Sequence, residues 1–263
     1  MIDLGLVSII MPSWNCAKFV EETLQSVLVQ TYSNWELIFQ DDCSTDNTKE
    51  IVEHYAAKDS RIKYECNAKN SGAAITRNNA LKRTNGRWIA FLDSDDIWLP
   101  TKLEEQLKFM TKNNYSFSYT QYEEINETSE NLGRTISGPK HLGKLGMYAY
   151  CWPGCLTVIY NRELIGTIQI VDIKKNNDYA MWLKVIQHAD CHLLDKILAK
   201  YRKRTGSISN HSYIQLIKWH YRLFKIAEEC STIKALFFTS INLVFGIIKK
   251  MLYTQKFSLT NDK

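Results

Sequence analysis

At 263 residues, with 45% hydrophobic and 23% charged side chains, the chain has ordinary globular composition and enough interior for one large α/β domain or a domain and a half. The seven cysteines are odd in number and scattered, which sets aside a disulfide framework and fits a reducing compartment. A net charge of +5 names no partner, but its distribution is uneven: seven Lys or Arg and no acid lie between Lys200 and Ala227, a patch that attracts the phosphates of nucleotides, nucleic acid or anionic lipid.

Leu6 to Pro12 reads as a buried first strand, ended by Pro12 because proline cannot continue a central ladder. No basic-then-apolar segment precedes it, which argues against a secretory signal. Ala17 to Gln30 spaces Phe19, Val20, Leu24, Val27 and Leu28 as one helical face. Trp35 to Gln40 is a second strand running into Asp41-Asp42-Cys43-Ser44-Thr45-Asp46-Asn47, a cluster of capping residues before the helix of Ile51, Val52, Tyr55 and Ala56. Arg61 to Asn67 gives a third strand, Gly72 to Lys82 a helix, and Trp88 to Leu92 a strand buried on both faces. Successive βα units of roughly thirty residues imply a parallel sheet with right-handed crossovers, the pattern of a nucleotide-binding half. No Gly-x-Gly-x-x-Gly follows a strand and no Gly-Lys-Ser/Thr occurs, so a dinucleotide dehydrogenase or P-loop enzyme is disfavoured.

After a helix over Thr101 to Asn113 the winding becomes irregular. Ser116 to Glu123 alternates as a strand, Glu124 to Lys144 is polar, and Leu156 to Tyr160 is another short strand. A helix starts near Asp178, and a strand from Leu193 to about Lys203 leads into Thr205-Gly206-Ser207-Ile208-Ser209. In the tail, Ile233 to Leu252 sets a wide apolar face against a narrow stripe of Thr239, Asn242, Gly246 and Lys249. Lys234 and Lys249-Lys250 keep it short of the roughly twenty clean apolar residues of a spanning helix. The preferred expectation is an interfacial amphipathic helix, the alternative a helix packed on the domain or a partner subunit.

Chemistry gathers at strand ends. Trp88 to Leu92 stops in Asp93-Ser94-Asp95-Asp96, and in open α/β sheets the C-terminal edge is where ligands bind. Asp93 and Asp95 can offer hard oxygen ligands to Mg²⁺ or Mn²⁺; the bland alternative is a solvated turn with Asp96 capping the next helix. In order along the chain stand Ser8-Ile-Ile-Met-Pro12-Ser-Trp14-Asn15, Asp41-Asp42-Cys-Ser-Thr-Asp46, Asn70-Ser-Gly72 with Thr76-Arg77-Asn78, and Phe91-Leu-Asp93-Ser94-Asp95-Asp96. Together they resemble the family-2 glycosyltransferases of the GT-A fold, strongly over about the first hundred residues. The likeness continues through Asn177-Asp178-Tyr-Ala-Met-Trp182 and Tyr201-Arg202 with Ser207-Ile-Ser209.

The resemblance implies an α/β, Rossmann-like nucleotide-binding domain with a mixed central sheet and a C-terminal helical, amphipathic tail. Its segments would be 1–100 for the nucleotide sugar, 101–211 for the acceptor and 212–263 as a basic extension. It places Pro12, Trp14 and Asn15 at the nucleotide, with Trp14 stacking on uracil; a base stacked on an aromatic ring is worth roughly 1–3 kcal/mol. Asp42 would accept the uracil N3 proton, Arg77 would contact base or phosphate, and Asp93 and Ser94 would lie by the ribose. Asp95 would ligate the divalent cation, and Asp178 would be the general base of an inverting single displacement. Read without the family, Trp14 is a loop aromatic, Asp42 a helix cap and Arg77 a surface arginine. Arg202, Arg204 and His211 are candidate diphosphate contacts, His211 also being an ordinary surface histidine.

In one respect the chain departs from the family, which usually has an acid immediately before the base where Asn177 stands. Asp172 is an alternative base, and Asp190 reads as a loop charge. The reading is thus a metal-dependent glycosyltransferase that moves a sugar from UDP to a hydroxyl of a glycan acceptor, lipid-linked, in bacterial capsule, O-antigen or exopolysaccharide synthesis. It would be cytoplasmic and attached peripherally to the inner face of the membrane through the tail, with no specific nucleic-acid partner. The alternatives are a polyprenyl-phosphate glycosyl synthase and a nucleotide-sugar-binding protein that has lost turnover.

Overall fold

The structure, a computed structural model, describes residues 3–204 and 213–257. Strands β1 (Val7–Ser13), β2 (Trp35–Asp41), β3 (Ile62–Cys66) and β4 (Trp88–Phe91) pair in parallel, in the order β3-β2-β1-β4. Helices α1 (Val20–Leu28), α2 (Thr48–Ala56) and α3 (Ala73–Lys82) make the crossovers. Every residue of β1 and β2 is buried because both faces are covered. Val7, Ile9 and Met11 pack with Val20, Leu24 and Val27 of α1, while Ile10, between them in sequence, packs with Ala74, Ala80 and Leu81 of α3. The strand order reverses between β1 and β4, which places a crevice outside their C-terminal ends.

β1 runs one residue past the expected stop at Pro12. Register pairs Pro12 with Gln40 and Ser13 with Asp41. Along this strand Asp42 N donates to Ser13 O on the β2 side and Leu92 N to Ile10 O on the β4 side. Pro12 shares the parity of Ile10, and β4 pairing has already ended there, so its missing N–H faces no ladder partner.

Beyond β4 the sheet turns mixed. β5 (Ile97–Trp98) and α4 (Lys102–Asn113) lead to β6 (Phe117–Ile125), then β7 (Asn131–Ile136), β8 (His141–Leu142), α5 (Lys144–Ala149), β9 (Ile159–Asn161) and α6 (Arg162–Ile165). β9 lies antiparallel between β4 and β6, and β10 (Cys191–Arg202), which follows α7 (Asn177–Val185), runs parallel to β6. The polar stretch 124–144 thus carries two strands that its sequence hid: β7 lies near the sheet margin with Leu132 and Arg134 exposed, and β8 is only two residues long. Asp96 does not cap α4; its Oδ1 accepts from Arg202 N at 2.9 Å, tying the acidic turn to β10.

α8 (Tyr213–Arg222) passes through a π-helical turn into α9 (Thr232–Leu252), and β11 (Thr254–Lys256) adds to the main sheet beside β7. α9 turns its polar stripe toward the domain, together with Ala235, Phe238, Phe245 and Ile248, and leaves most of its wide apolar face outward. Thr239 and Asn242 are buried, Asn242 Nδ2 donates to Tyr148 O at 3.0 Å, and Lys249 Nζ donates to Trp152 O at 2.9 Å. Gly246 lies against the Tyr150 ring, where a Cβ would come within 3.2 Å. Ile233, Leu236, Phe237, Val244, Ile247, Met251 and Leu252 are all more than half exposed. At 21 residues the helix is long and apolar enough to cross a membrane by length and composition, yet it seats its polar stripe on the domain.

Candidate active site

The loops after β1 and β2 are stitched to each other. Asn15 N donates to Ser44 Oγ at 2.8 Å, Thr45 N donates to Asn15 Oδ1 at 2.8 Å, and Ala17 N donates to Asp46 Oδ2 at 3.0 Å. Ser44 is itself fixed through Asp41, whose Oδ1 accepts from Ser44 Oγ at 2.6 Å. Asn15 and Cys43 sit at positive φ, 49° and 63°, so these loops hold conformations that L-residues rarely take. This stitching leaves Trp14 as the outward side chain, 56% exposed at the strand edge.

Asp42 is 4% exposed and already works for the fold. Its Oδ1 accepts from Ser71 N at 2.7 Å and Asn67 Nδ2 at 2.8 Å, and its Oδ2 from Gly72 N at 2.7 Å. Gly72 has φ of 84°, which turns the two successive amides toward the carboxylate just before α3 starts. A carboxylate accepts about four hydrogen bonds, so one position on Asp42 remains for a ligand N–H. Asn67, which sequence reasoning passed over, aims this acid and is itself held by Gln40 and Asn79.

At the centre, Arg77 is a buried bridge. Its guanidinium donates to Asp93 Oδ1 at 2.5 Å and to Asn177 Oδ1 at 2.7 Å. The turn after β4 and the start of α7 are thereby clamped together from α3. Asn177, the departure flagged in the sequence, is the acceptor of that clamp. Asp178 follows it, partly buried, with Oδ1 accepting from Tyr179 N at 2.8 Å. Burial pushes its carboxyl above the ordinary aspartate range, Arg77 pulls it back, and Asp93 adds to the rise. A carboxylate shifted upward is a better proton acceptor near neutrality.

Asp95 pairs with Arg204, Nε to Oδ2 at 2.8 Å. Burial raises its carboxyl, Arg204 opposes and Asp93 reinforces. Ser94 is buried, its carbonyl accepting from Thr23 Oγ1. Arg202 does not reach the cleft. Its side chain has no exposed surface and is spent on Asp95 O, Asn126 O, Ser129 Oγ and Glu22, whereas Arg204 is partly exposed. The basic patch is likewise largely paired: Lys200 with Glu123 and Lys203 with Glu124. His211 and the Ser207-Ile-Ser209 segment lie outside the described residues. Asp190 pairs with His141 at 2.8 Å, and Asp172 stays exposed.

Among the described residues no three His, Cys, Asp or Glu side chains converge as a metal cage. That donor set fits a cation of the magnesium type, which takes one or two carboxylates from protein and the rest of its oxygens from substrate phosphates and water. Asp95, now paired with Arg204, would be the carboxylate that holds it.

A doubly wound sheet, extended by an antiparallel half and edged with acidic turns after β2 and β4, defines the class of GT-A nucleotide-sugar enzymes. The chain belongs to glycosyl transferase family 2, which it matches over residues 8–201. It is 41% identical over 209 residues to TuaG of Bacillus subtilis, named for teichuronic acid biosynthesis, covering 79% of this chain and 83% of that one. It is 43% identical over 217 residues to WfgD of Escherichia coli, named a UDP-Glc:alpha-D-GlcNAc-diphosphoundecaprenol beta-1,3-glucosyltransferase, covering 82% and 84%. Among solved structures, S. aureus TarS in complex with UDP-GlcNAc aligns with a TM-score of 0.71 at 24% identity, over 87% of this chain and 69% of that one, a likeness of fold.

Proposed function

We propose that the chain transfers a sugar from UDP to a hydroxyl of a diphospholipid-linked glycan, with inversion, in the synthesis of a bacterial surface polysaccharide. The observation that supports this reading is the Arg77 bridge, which joins Asp93, in the turn after β4, to Asn177, the residue before Asp178. Trp14 would stack on the uracil, and the spare acceptor position of Asp42 would take its N3–H, which cytosine lacks. Asp93, held by Arg77, would orient the ribose, and Arg204 would move from Asp95 to the diphosphate. A divalent cation held by Asp95 would neutralise the charge that grows on the leaving diphosphate. Asp178 takes the proton of the acceptor hydroxyl as its oxygen attacks C1 from the face opposite the diphosphate. The bond from C1 to the phosphate oxygen breaks with its electron pair on UDP, which inverts the anomeric centre.

Family relatives guide the choice of substrates: the name of WfgD specifies UDP-glucose and a GlcNAc-diphospholipid. The outward apolar face of α9, flanked by the exposed Lys234 and Lys250, supports attachment to an anionic bilayer surface, where such an acceptor resides.

The test is calorimetric titration of UDP into the protein with Mn²⁺ and with EDTA, repeated on Asp95→Ala and Asp42→Ala. Cation-dependent binding that is lost in Asp95→Ala and weakened in Asp42→Ala is expected, followed by transfer from UDP-glucose to a GlcNAc-diphospholipid. Failure of the wild-type protein to bind UDP under either condition would overturn the donor assignment.

A further inference from the structure

The tail helix carries one lysine that turns away from solvent. Lys234 and Lys250 are exposed, but Lys249 sends its ammonium group into the domain, donating to Trp152 O at 2.9 Å and Cys151 O at 3.4 Å with the Tyr150 ring 5.3 Å away. The stretch it grips is also gripped from α7. Tyr179 Oη donates to Met147 O at 2.7 Å and to Tyr148 O at 3.1 Å, and the Tyr148 carbonyl also takes the bond from Asn242 of α9. Tyr179 is the neighbour of Asp178, so two hydrogen-bonded steps lead from the tail helix to the candidate base.

We propose that Lys249 is a positioning residue for the transfer reaction: it holds the 150–155 segment beside Asp178 and supplies, with Arg77, the positive charge facing that carboxylate. This rests on Asp178 being the base. The tail helix then belongs to the acceptor side of the site as well as to the surface.

Among the described residues, five charged or titratable groups face Asp178. Arg77 faces it from α3, Asp93 from the turn after β4, Cys151 and Cys155 from the gripped segment, and Lys249 from α9. Burial pushes both thiols well up, so they stay neutral and add no charge near pH 7. Burial draws the Lys249 ammonium down while Cys151 and Asp178 draw it up, and the interaction is mutual: a cation that the carboxylate stabilises also stabilises the carboxylate. Arg77 is the leading cation that opposes the burial of Asp178 and Lys249 the lesser one, so a variant that removes the Lys249 charge leaves a weaker acid.

The experiment uses the full chain with Lys249→Gln, Lys249→Met and Lys249→Arg, and Asp178→Asn as the control. UDP binding is measured by calorimetry, and kcat and KM for transfer from UDP-glucose to a GlcNAc-diphospholipid are followed from pH 5 to 9 as an assay range. Lys249→Gln keeps hydrogen-bond donors without the charge. It is expected to bind UDP within about twofold of wild type while the acid limb of kcat/KM moves up by about half a pH unit. Lys249→Met, which also loses the brace, is expected to lower kcat at least about tenfold, and Lys249→Arg to restore most of both. An acid limb that stays in place in Lys249→Gln overturns the proposal, whether or not Lys249→Met folds. If Asp178→Asn still transfers sugar, the base assignment fails instead; an inactive Asp178→Asn beside an unmoved Lys249→Gln refutes only the role of Lys249.

Discussion

Helices α1 and α9 are both amphipathic, and they bury opposite faces. α1 turns Val20, Leu24 and Val27 inward and leaves its glutamates Glu21 and Glu22 in the first turn, where they also suit the positive end of the helix dipole. α9 turns Thr239, Asn242, Gly246 and Lys249 inward together with Ala235, Phe238, Phe245 and Ile248, and leaves Ile233, Leu236, Phe237, Val244, Ile247 and Met251 outside. The difference teaches that the spacing of apolar residues fixes the axis along which a helix is two-faced without fixing which face turns inward. That choice is decided by what the helix meets: α1 meets the apolar flank of β1, whereas α9 meets bare carbonyls of the 148–152 segment that need donors.

The sharpest way to break this comparison is to delete matched apolar groups from each helix. Leu24→Ala, at a fully buried position, is expected to cost about 3 kcal/mol and to lower the melting temperature clearly. The triple change Val244→Ser, Ile247→Ser and Met251→Ser on α9 is expected to shift stability by less than about 1 kcal/mol, while weakening binding to anionic vesicles at least about tenfold in a sedimentation assay. A melting temperature that falls as far as in Leu24→Ala would mean that the outer face is packed.

A second, smaller effect comes from the polar stripe. Asn242→Leu makes α9 more apolar, yet it removes one of the two donors to Tyr148 O, leaving Tyr179 Oη, and is expected to cost about 1 kcal/mol in chemical denaturation. Were the helix seated by the apolar contacts of Ala235, Phe238, Phe245 and Ile248 alone, the same change would stabilise it.

Glu36 supplies the counterpart within the parallel sheet. Burial alone would raise its carboxyl, but Lys63 at 2.5 Å, Ser8 Oγ at 2.6 Å and Asn85 N at 2.8 Å hold it below the ordinary glutamate range. A depressed acid contributes stability that is present above its unfolded pKa of about 4.3 and is lost as pH falls through the folded value. Glu36→Gln is accordingly expected to lose about 1–2 kcal/mol at pH 7, with the gap to wild type closing below about pH 4, as melting curves at several pH values would show. The smallest effect belongs to Cys43, at φ of 63°: Cys43→Gly relieves the left-handed backbone and is expected to raise stability by at most about 1 kcal/mol.

Legibility in the sequence followed the same physics. The strand from Trp88, the helix from Gly72 and the acidic turns were readable because a doubly covered strand must be apolar and its end must not be. Pro12 misled because a missing N–H matters only where a ladder partner exists. β7 and β8 were hidden because strands near the sheet margin or of two residues need no apolar run. Arg202 misled for a deeper reason: an arginine that braces backbone carbonyls and one that meets a phosphate use the same donors, and only burial tells them apart. Asn177 could be marked as unusual from sequence, but its partner Arg77 lies 100 positions away and required the fold.

If the outer face of α9 rests on lipid, the helix also sets an altitude. Its 21 residues would lie as a strip about 30 Å long along the surface. Lys249 points to the opposite side, so the ground on which Asp178 stands would be roughly one helix diameter, about 10 Å, above the headgroups. The helix would then serve as a spacer, fixing how far above the surface an acceptor hydroxyl must stand to meet Asp178.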